Sequence, residues 1–291
     1  MAAIMEARGL RKRFGSVQAV AGVDISIEEG SCLGILGPNG AGKTTTIEML
    51  EGILASDEGE VHFRGKPLGQ DFKKRVGIQF QTTALPEFIT VKETLRLFSA
   101  FYPNPRSLSE VVRLCSLDDI LDRDNRKLSG GQRQRMLLAL AIVSKPEIVF
   151  LDEPTTGLDP QARRNFWELV RGIRAENVTV VLTTHYMDEA QELCDEIAIM
   201  DHGKILERDS PARLLAKHFT GALVRIPKAC IDGDIPPSGR MVADHLEIQS
   251  TDLDATMREL ISAGINLEGL SIHKPDLEDL FIELTGSSLR T

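Results

Sequence analysis

The chain has 291 residues, 42% of them hydrophobic and 26% charged, a composition that excludes a disordered, collagenous or coiled-coil protein. At ~150 residues per domain, this length predicts about two domains. The 34 Lys and Arg against 43 Asp and Glu leave a net charge of −9, poorly suited to neutralising a polyanion, so nucleic acid is a disfavoured partner.

Residues 1–13 mix Glu6 with Arg8, Arg11, Lys12 and Arg13 and have no apolar run of the secretory kind. The longest unbroken apolar stretch, 136–143, is far shorter than the ~20 residues that span a hydrocarbon core, so a cytoplasmic chain without a membrane span is expected. Period-2 alternation over 17–27 and 60–63 predicts an antiparallel strand layer. Cys32, Leu33, Ile35 and Leu36 read as a fully buried strand that stops at Gly37. Then come Gly37, Pro38, Asn39, Gly40, Ala41, Gly42, Lys43, Thr44 and Thr45, followed by Ile47, Met49 and Leu50 in a helix ending near Gly52.

A helical insertion is expected over about 90–144, starting with helices at 91–101 and 108–115. Within it, Ser129 is placed to cap a helical run over 133–143, with Gly130, Gly131 and Gln132 at its start. A second buried strand, 148–151, ends in Asp152-Glu153-Pro154, and a third, 178–182, ends in Thr183-Thr184-His185. Between them Asp159-Pro160 supplies a cap and a first-turn proline for a helix with Phe166, Leu169, Val170 and Ile173 on one face. Such alternation implies crossover units and a mainly parallel sheet, with the ligand crevice at the carboxyl ends of its strands.

The pattern changes near Thr220, which places a boundary near His218. Residues 222–226 and 241–248 look like strands, separated by a Pro/Gly-rich break at 235–239. Two amphipathic helices follow, one carrying Leu253, Met257, Leu260 and Ile261 to a stop at Gly264, the other Leu277, Leu280, Phe281 and Leu284 to a stop at Gly286. The expectation is an α/β domain over 1–218 and a small α+β domain over 219–291. Cys32, Cys115, Cys194 and Cys230 lie far apart with no C-x-x-C pair, and are expected as buried, reduced thiols.

Gly37-x4-Gly42-Lys43-Thr44 fits the phosphate loop G-x-x-x-x-G-K-[ST] in its required place after a strand and before a helix. Its glycines let backbone N–H groups converge on phosphates, Lys43 meets the β- and γ-phosphates, and the Thr44 hydroxyl ligates Mg²⁺. Asp152 closing a strand is the expected Mg²⁺-side carboxylate, and Glu153 beside it can polarise a water for attack on the γ-phosphorus. Ser129, Gly130 and Gly131 make a second anion-binding helix end.

These residues resemble the nucleotide-binding subunits of ABC transporters, which are P-loop NTPases. Gly37 to Thr44 is similar to the Walker A loop, 148–152 to Walker B, 128–132 to the signature sequence and 156–159, with Asp159, to the D-loop. Gln81 resembles the Q-loop glutamine that senses Mg²⁺ and the water, His185 the switch histidine that contacts the γ-phosphate, and Phe14 the aromatic that stacks on adenine. Gln79 lies two residues before Gln81, and Phe80 stands where a proline is frequent in the family. The resemblance, over about residues 4–218, implies ATP and Mg²⁺ as cofactors and a head-to-tail pair in which Ser129, Gly130, Gly131 and Gln132 of one copy complete the other's site. A homodimer is the expected pairing. It also implies a separate integral-membrane permease, with 82–101 as the coupling segment. The short insertion and the ending over 277–286 resemble the branch serving bacterial drug-resistance, nodulation-factor, lipid and polysaccharide exporters. A soluble mechanochemical ATPase would need tandem cassettes or a long coiled coil, and a small-molecule kinase would lack 128–132. A non-catalytic module is disfavoured by Glu153 and His185.

Overall fold

The computed structural model describes residues 3–285 apart from 232–234, 236–237 and 243. Two compact units are present, one running to Pro211 and the other starting at Ala212.

The first unit opens with β1 (Ala3–Phe14), β2 (Val17–Glu28), β3 (Cys32–Leu36), α1 (Lys43–Leu50), β4 (Glu58–Phe63), β5 (Lys66–Pro67), α2 (Gln70–Lys73) and β6 (Val76–Gln79). The helical insertion follows with α3 (Val91–Ser99), α4 (Leu108–Cys115) and α5 (Gly130–Ile142), then β7 (Ile148–Asp152), α6 (Pro160–Arg174), β8 (Thr179–Thr184), α7 (Met187–Leu193), β9 (Glu196–Asp201) and β10 (Lys204–Asp209). Its main sheet has the order β10-β9-β3-β8-β7-β6, parallel throughout except for β10 at the edge. A second, antiparallel sheet has the order β2-β1-β4-β5. One apolar cluster joins the two sheets, with Leu10 and Ile25 from the second meeting Leu33, Ile35, Phe150 and Val181 from the first. Burying such side chains contributes about 1.5–3 kcal/mol each.

The α/β core, the antiparallel layer and the helical insertion are those the sequence predicts. β1, β5, β6, β9 and β10 are not. β1 escapes a period-2 reading because its pairing with β2 slips at Ala7/Leu10, around Gly9 with φ 59, so the inward residues change parity along the strand. β6 has only four residues and reads as too short a run.

The second unit takes in α8 (Pro211–His218) from its second residue and continues with β11 (Ala222–Pro227), β12 (Gly239–Val242), β13 (His245–Ser250), α9 (Leu253–Ser262), β14 (Ser271–His273) and α10 (Leu277–Thr285). Its antiparallel sheet has the order β12-β13-β11-β14, with Val224, Ile226, Leu246 and Ile248 packed on Leu260. The single strand expected over 241–248 is instead a hairpin, Val242 pairing with His245 and Met241 with Leu246. The expected stop at Gly286 lies outside the described residues. Cys32, Cys115 and Cys194 are buried free thiols, but Cys230 is only half-buried, its Sγ 3.1 Å from the Glu268 carbonyl.

Candidate functional site

Strand register assembles the site. Leu36 pairs with Thr184, Thr183 with Asp152, and Leu151 with Gln79, so β3, β8, β7 and β6 end side by side. The segments leaving those ends carry the glycine loop, His185, Glu153 and Gln81.

In the loop, a side chain at Gly37 would put its Cβ 2.4 Å from the Met200 carbonyl oxygen. One at Gly42, with φ 98, would sit 2.3 Å from that of Ala19. Only glycine fits both positions. Gly42 also occupies the N-cap of α1, so no side chain caps the helix and its first N–H groups are left for an anion. Lys43 is 6% exposed and donates from Nζ to the carbonyls of Gly37 at 2.8 Å and Pro38 at 3.1 Å. Burial lowers its pKa, against the upward pull of Glu153 and Asp152. Asn39, Gly40 and Thr44 are exposed.

Thr183 braces both carboxylates. Its Oγ1 donates to Asp152 Oδ1 at 2.5 Å, and its Oγ1 and carbonyl accept from the Glu153 N–H at 3.0 and 3.2 Å. Glu153 has φ 45, a left-handed conformation that is strained for this residue type. Its Oε2 accepts from Gln81 Nε2 at 3.0 Å and Thr156 Oγ1 at 3.2 Å and lies 3.6 Å from His185 Nδ1. The His185 contact holds the Glu153 carboxyl below its usual range, keeping it ionised at neutral pH. Burial pushes Asp152 the other way, reinforced by the charge of Glu153 and opposed by Thr183 and Lys43. Two adjacent, partly desolvated carboxylates need a cation.

Thr44, Gln81 and Asp152 supply hydroxyl, amide and carboxylate oxygens, the hard donor set that suits Mg²⁺. Among the described residues no group of three His, Cys, Asp or Glu could by itself hold a metal ion. Gln79 is buried in β6 and donates to Gln134 Oε1 at 2.6 Å, so of the two neighbouring glutamines it is Gln81 that reaches Glu153. Phe14 is 50% exposed at the end of β1, where Asp57 holds the Lys12 ammonium at 2.8 Å and the Arg13 N–H at 2.8 Å.

Ser129 caps α5 in a reciprocal box: its hydroxyl accepts the Gln132 N–H at 3.3 Å and its N–H donates to Gln132 Oε1 at 3.0 Å. Among the described residues none of these bonds reaches Lys43, Asp152, Glu153 or His185. A cavity of about 500 Å³ opens beside this helix end, lined in part by Ser129, Gly131, Arg135, Asn165 and Phe166. Asp159 caps α6, accepting from the Ala162 N–H at 2.8 Å.

The bracing by Thr183 and the burial of Glu189 escape the sequence reading. Glu189 is fully buried in α7, accepts from Trp167 Nε1 at 3.0 Å, and has its pKa raised by burial. Ala190 and Leu193 on the same buried face of α7 are the signal that could have found it.

The family described as "ABC transporter" matches residues 20–156. Nod factor export ATP-binding protein I of Ralstonia nicotianae is 34% identical over 99% of this chain and 95% of that protein. The daunorubicin resistance ATP-binding protein of Streptomyces coeruleorubidus is 32% identical over 97% and 96%. Among solved structures, the dimeric form of a bacterial ABC transporter cassette superposes with a TM-score of 0.64 at 25% identity, covering 71% of this chain and 98% of that one.

Proposed function

This chain belongs to the ABC transporter family of ATP-binding subunits, and on that premise we propose that two copies of it close on two ATP molecules and so drive a separate membrane permease. It is an Mg²⁺-dependent ATPase of the exporter type, and cassettes of this kind work in pairs beside a permease chain. Among the described residues no helix is long and apolar enough to cross a membrane. We place the subunit at the cytoplasmic face of the permease, with 82–101 as its coupling segment.

In this reading residues 37–45 cradle the triphosphate, Lys43 leaving the Gly37 and Pro38 carbonyls for phosphate oxygens, and Phe14 stacks on the adenine. Thr44, Gln81 and Asp152 hold Mg²⁺, which when bound neutralises charge on the β- and γ-phosphates. Glu153, ionised and aimed by Gln81 and Thr156, orients the attacking water, and His185 contacts the γ-phosphate. Ser129, Gly130, Gly131 and Gln132 meet the nucleotide of the other copy, near Asp159. Loss of the γ-phosphate releases that bridge. We assign nucleotide work to 1–218 and an accessory role to 219–291. The two relatives are named for different cargoes, Nod factor and daunorubicin, which supports a cargo path in the permease.

The carrying observation is the row of strand ends that brings Lys43, Asp152, Glu153 and His185 together, while the capped end of α5 makes no bond with them. Glu153→Gln tests it. Turnover is expected to fall by ~10²-fold or more, the scale of losing a general base, while an ATP-bound dimer accumulates on size-exclusion chromatography. Unchanged turnover would remove Glu153 from the chemistry, and a monomer under saturating ATP would remove the shared site.

A further inference from the structure

Among the described residues the side chain of His185 has one polar partner, Glu153, whose Oε2 lies 3.6 Å from its Nδ1. An imidazole held by a single long contact is not fixed in orientation by it, so its aim depends on packing. That packing is aromatic. The ring of Tyr186, at the N-cap of α7, lies 4.1 Å from the His185 ring, centroid to centroid, at 40°. Tyr186 is itself anchored by its N–H to Thr184 Oγ1 at 2.9 Å, on the strand that delivers His185.

A second element reaches the same ring. The guanidinium of Arg163, from α6, sits 3.8 Å from the Tyr186 centroid and donates to Asp188 Oδ2 at 3.2 Å. Its Nε is buried without a hydrogen-bond partner, so the side chain is desolvated where the stack forms. Arg163 stands one turn into α6, and its N–H bonds the carbonyl of Asp159, the helix cap. Trp167, one turn further, donates to the fully buried Glu189 of α7. The two helices are thus tied at successive turns, and the first tie ends on the switch histidine.

We propose that Tyr186 is the positioning residue for His185, held in place by Arg163, so that the cap end of α6 and the aim of the imidazole are set together. This rests on His185 contacting the γ-phosphate. A planar guanidinium against a π-face is a geometry that lysine does not reproduce, and the phenol hydroxyl is not required for it.

Steady-state ATPase assays on the full chain test the proposal, with folding checked by thermal melting and ATP affinity by equilibrium binding. Tyr186→Ala is expected to lower kcat about 10-fold with KM for ATP within about two-fold, as misplacing a reacting group does. Tyr186→Leu, which restores volume without a ring, is expected to lose as much, and Tyr186→Phe to keep at least about half of wild-type kcat. Arg163→Lys is expected to fall about three-fold. The decisive comparison uses His185→Ala. With the imidazole gone, adding Tyr186→Ala costs nothing more if Tyr186 acts through it, whereas a merely structural role adds its full factor again. Wild-type kcat in Tyr186→Ala, an equal loss in Tyr186→Phe, or an additive double variant would overturn the proposal while leaving His185 in its role. Wild-type turnover in His185→Ala would overturn the role of His185 itself, and the proposal with it.

Discussion

Both units of the molecule bury ionisable side chains, and they treat them in opposite ways. In the C-terminal unit the carboxylates of Glu247 and Asp279, each 4% exposed at the side chain, are paired from every side. Glu247 receives Arg225 at 2.8 Å and Arg240 at 2.8 Å. Asp279 receives the same Arg225 at 2.5 Å, the Asp276 N–H at 2.9 Å and the His273 ring at 3.1 Å, while Arg240 also meets Glu283. In the nucleotide unit, among the described residues, Lys43 donates only to carbonyl oxygens, and Asp152 and Glu153 share one end of a strand with no lysine or arginine bonded to either. Buried charge is costly unless it is paired. The completed network is therefore a fastener of β11, β12, β13 and α10, and under the proposed function the incomplete one receives the missing charges of ATP and Mg²⁺.

The most severe way to break this contrast is to remove the lone cation. Lys43→Met is expected to cost ~10²-fold or more in turnover, the scale of removing one charge-stabilising donor from a transition state, and to weaken ATP binding in an equilibrium titration. Its melting temperature should stay level or rise, because the substitution relieves a desolvated ammonium. A marked fall would mean that Lys43 holds the fold together in the way Arg225 does.

Glu247→Ala is the converse. It strips both arginines of a shared partner and is expected to destabilise the chain by about 3 kcal/mol, the low end for breaking a buried ion pair. Urea unfolding measures this. Turnover per folded molecule should remain that of the parent, and a loss of kcat with the fold intact would give the network a functional role.

How far each region could be read from sequence follows from where its interactions lie along the chain. The glycine loop was legible because Gly37, Gly42, Lys43 and Thr44 act as one contiguous piece with its own strand and helix. The cap at Ser129 lies beside the helix start it serves and was equally plain, although the reciprocal bond from Gln132 was not read. Asp152 and Glu153 were visible as types, but the burial that raises the one, the Thr183 hydroxyl that opposes that rise and the His185 ring that lowers the other come from some thirty positions away, and only register brings them close. The same holds for Arg163 on Tyr186 and for the Arg225 network. The hairpin over β12 and β13 was read as one strand because no glycine or proline stands between Val242 and His245 to mark the reversal, although Met241 and Leu246 belong to separate, paired strands.

Glu51 crosses the contrast and supplies its mildest test. It lies in the nucleotide unit, just past the last turn of α1, at 5% exposure, and burial with the charges of Asp152 and Glu48 pushes its carboxyl from 4.5 up to about 8. It solves the burial problem in neither way described above: it stays protonated. Below pH 4.5 the carboxyl is neutral in folded and unfolded chains alike, so the favourable contribution is complete there. As pH rises from 4.5 towards 8 the unfolded chain ionises first, and stability is lost at up to about 1.4 kcal/mol per pH unit until the folded carboxyl ionises too. Glu51→Gln keeps the shape and removes the titration. Its melting temperature should match the parent's at pH 4, exceed it increasingly up to pH 8, and run parallel above. Parallel curves over the whole range would mean that Glu51 is ionised in the folded state and has a cationic neighbour, as Glu247 has.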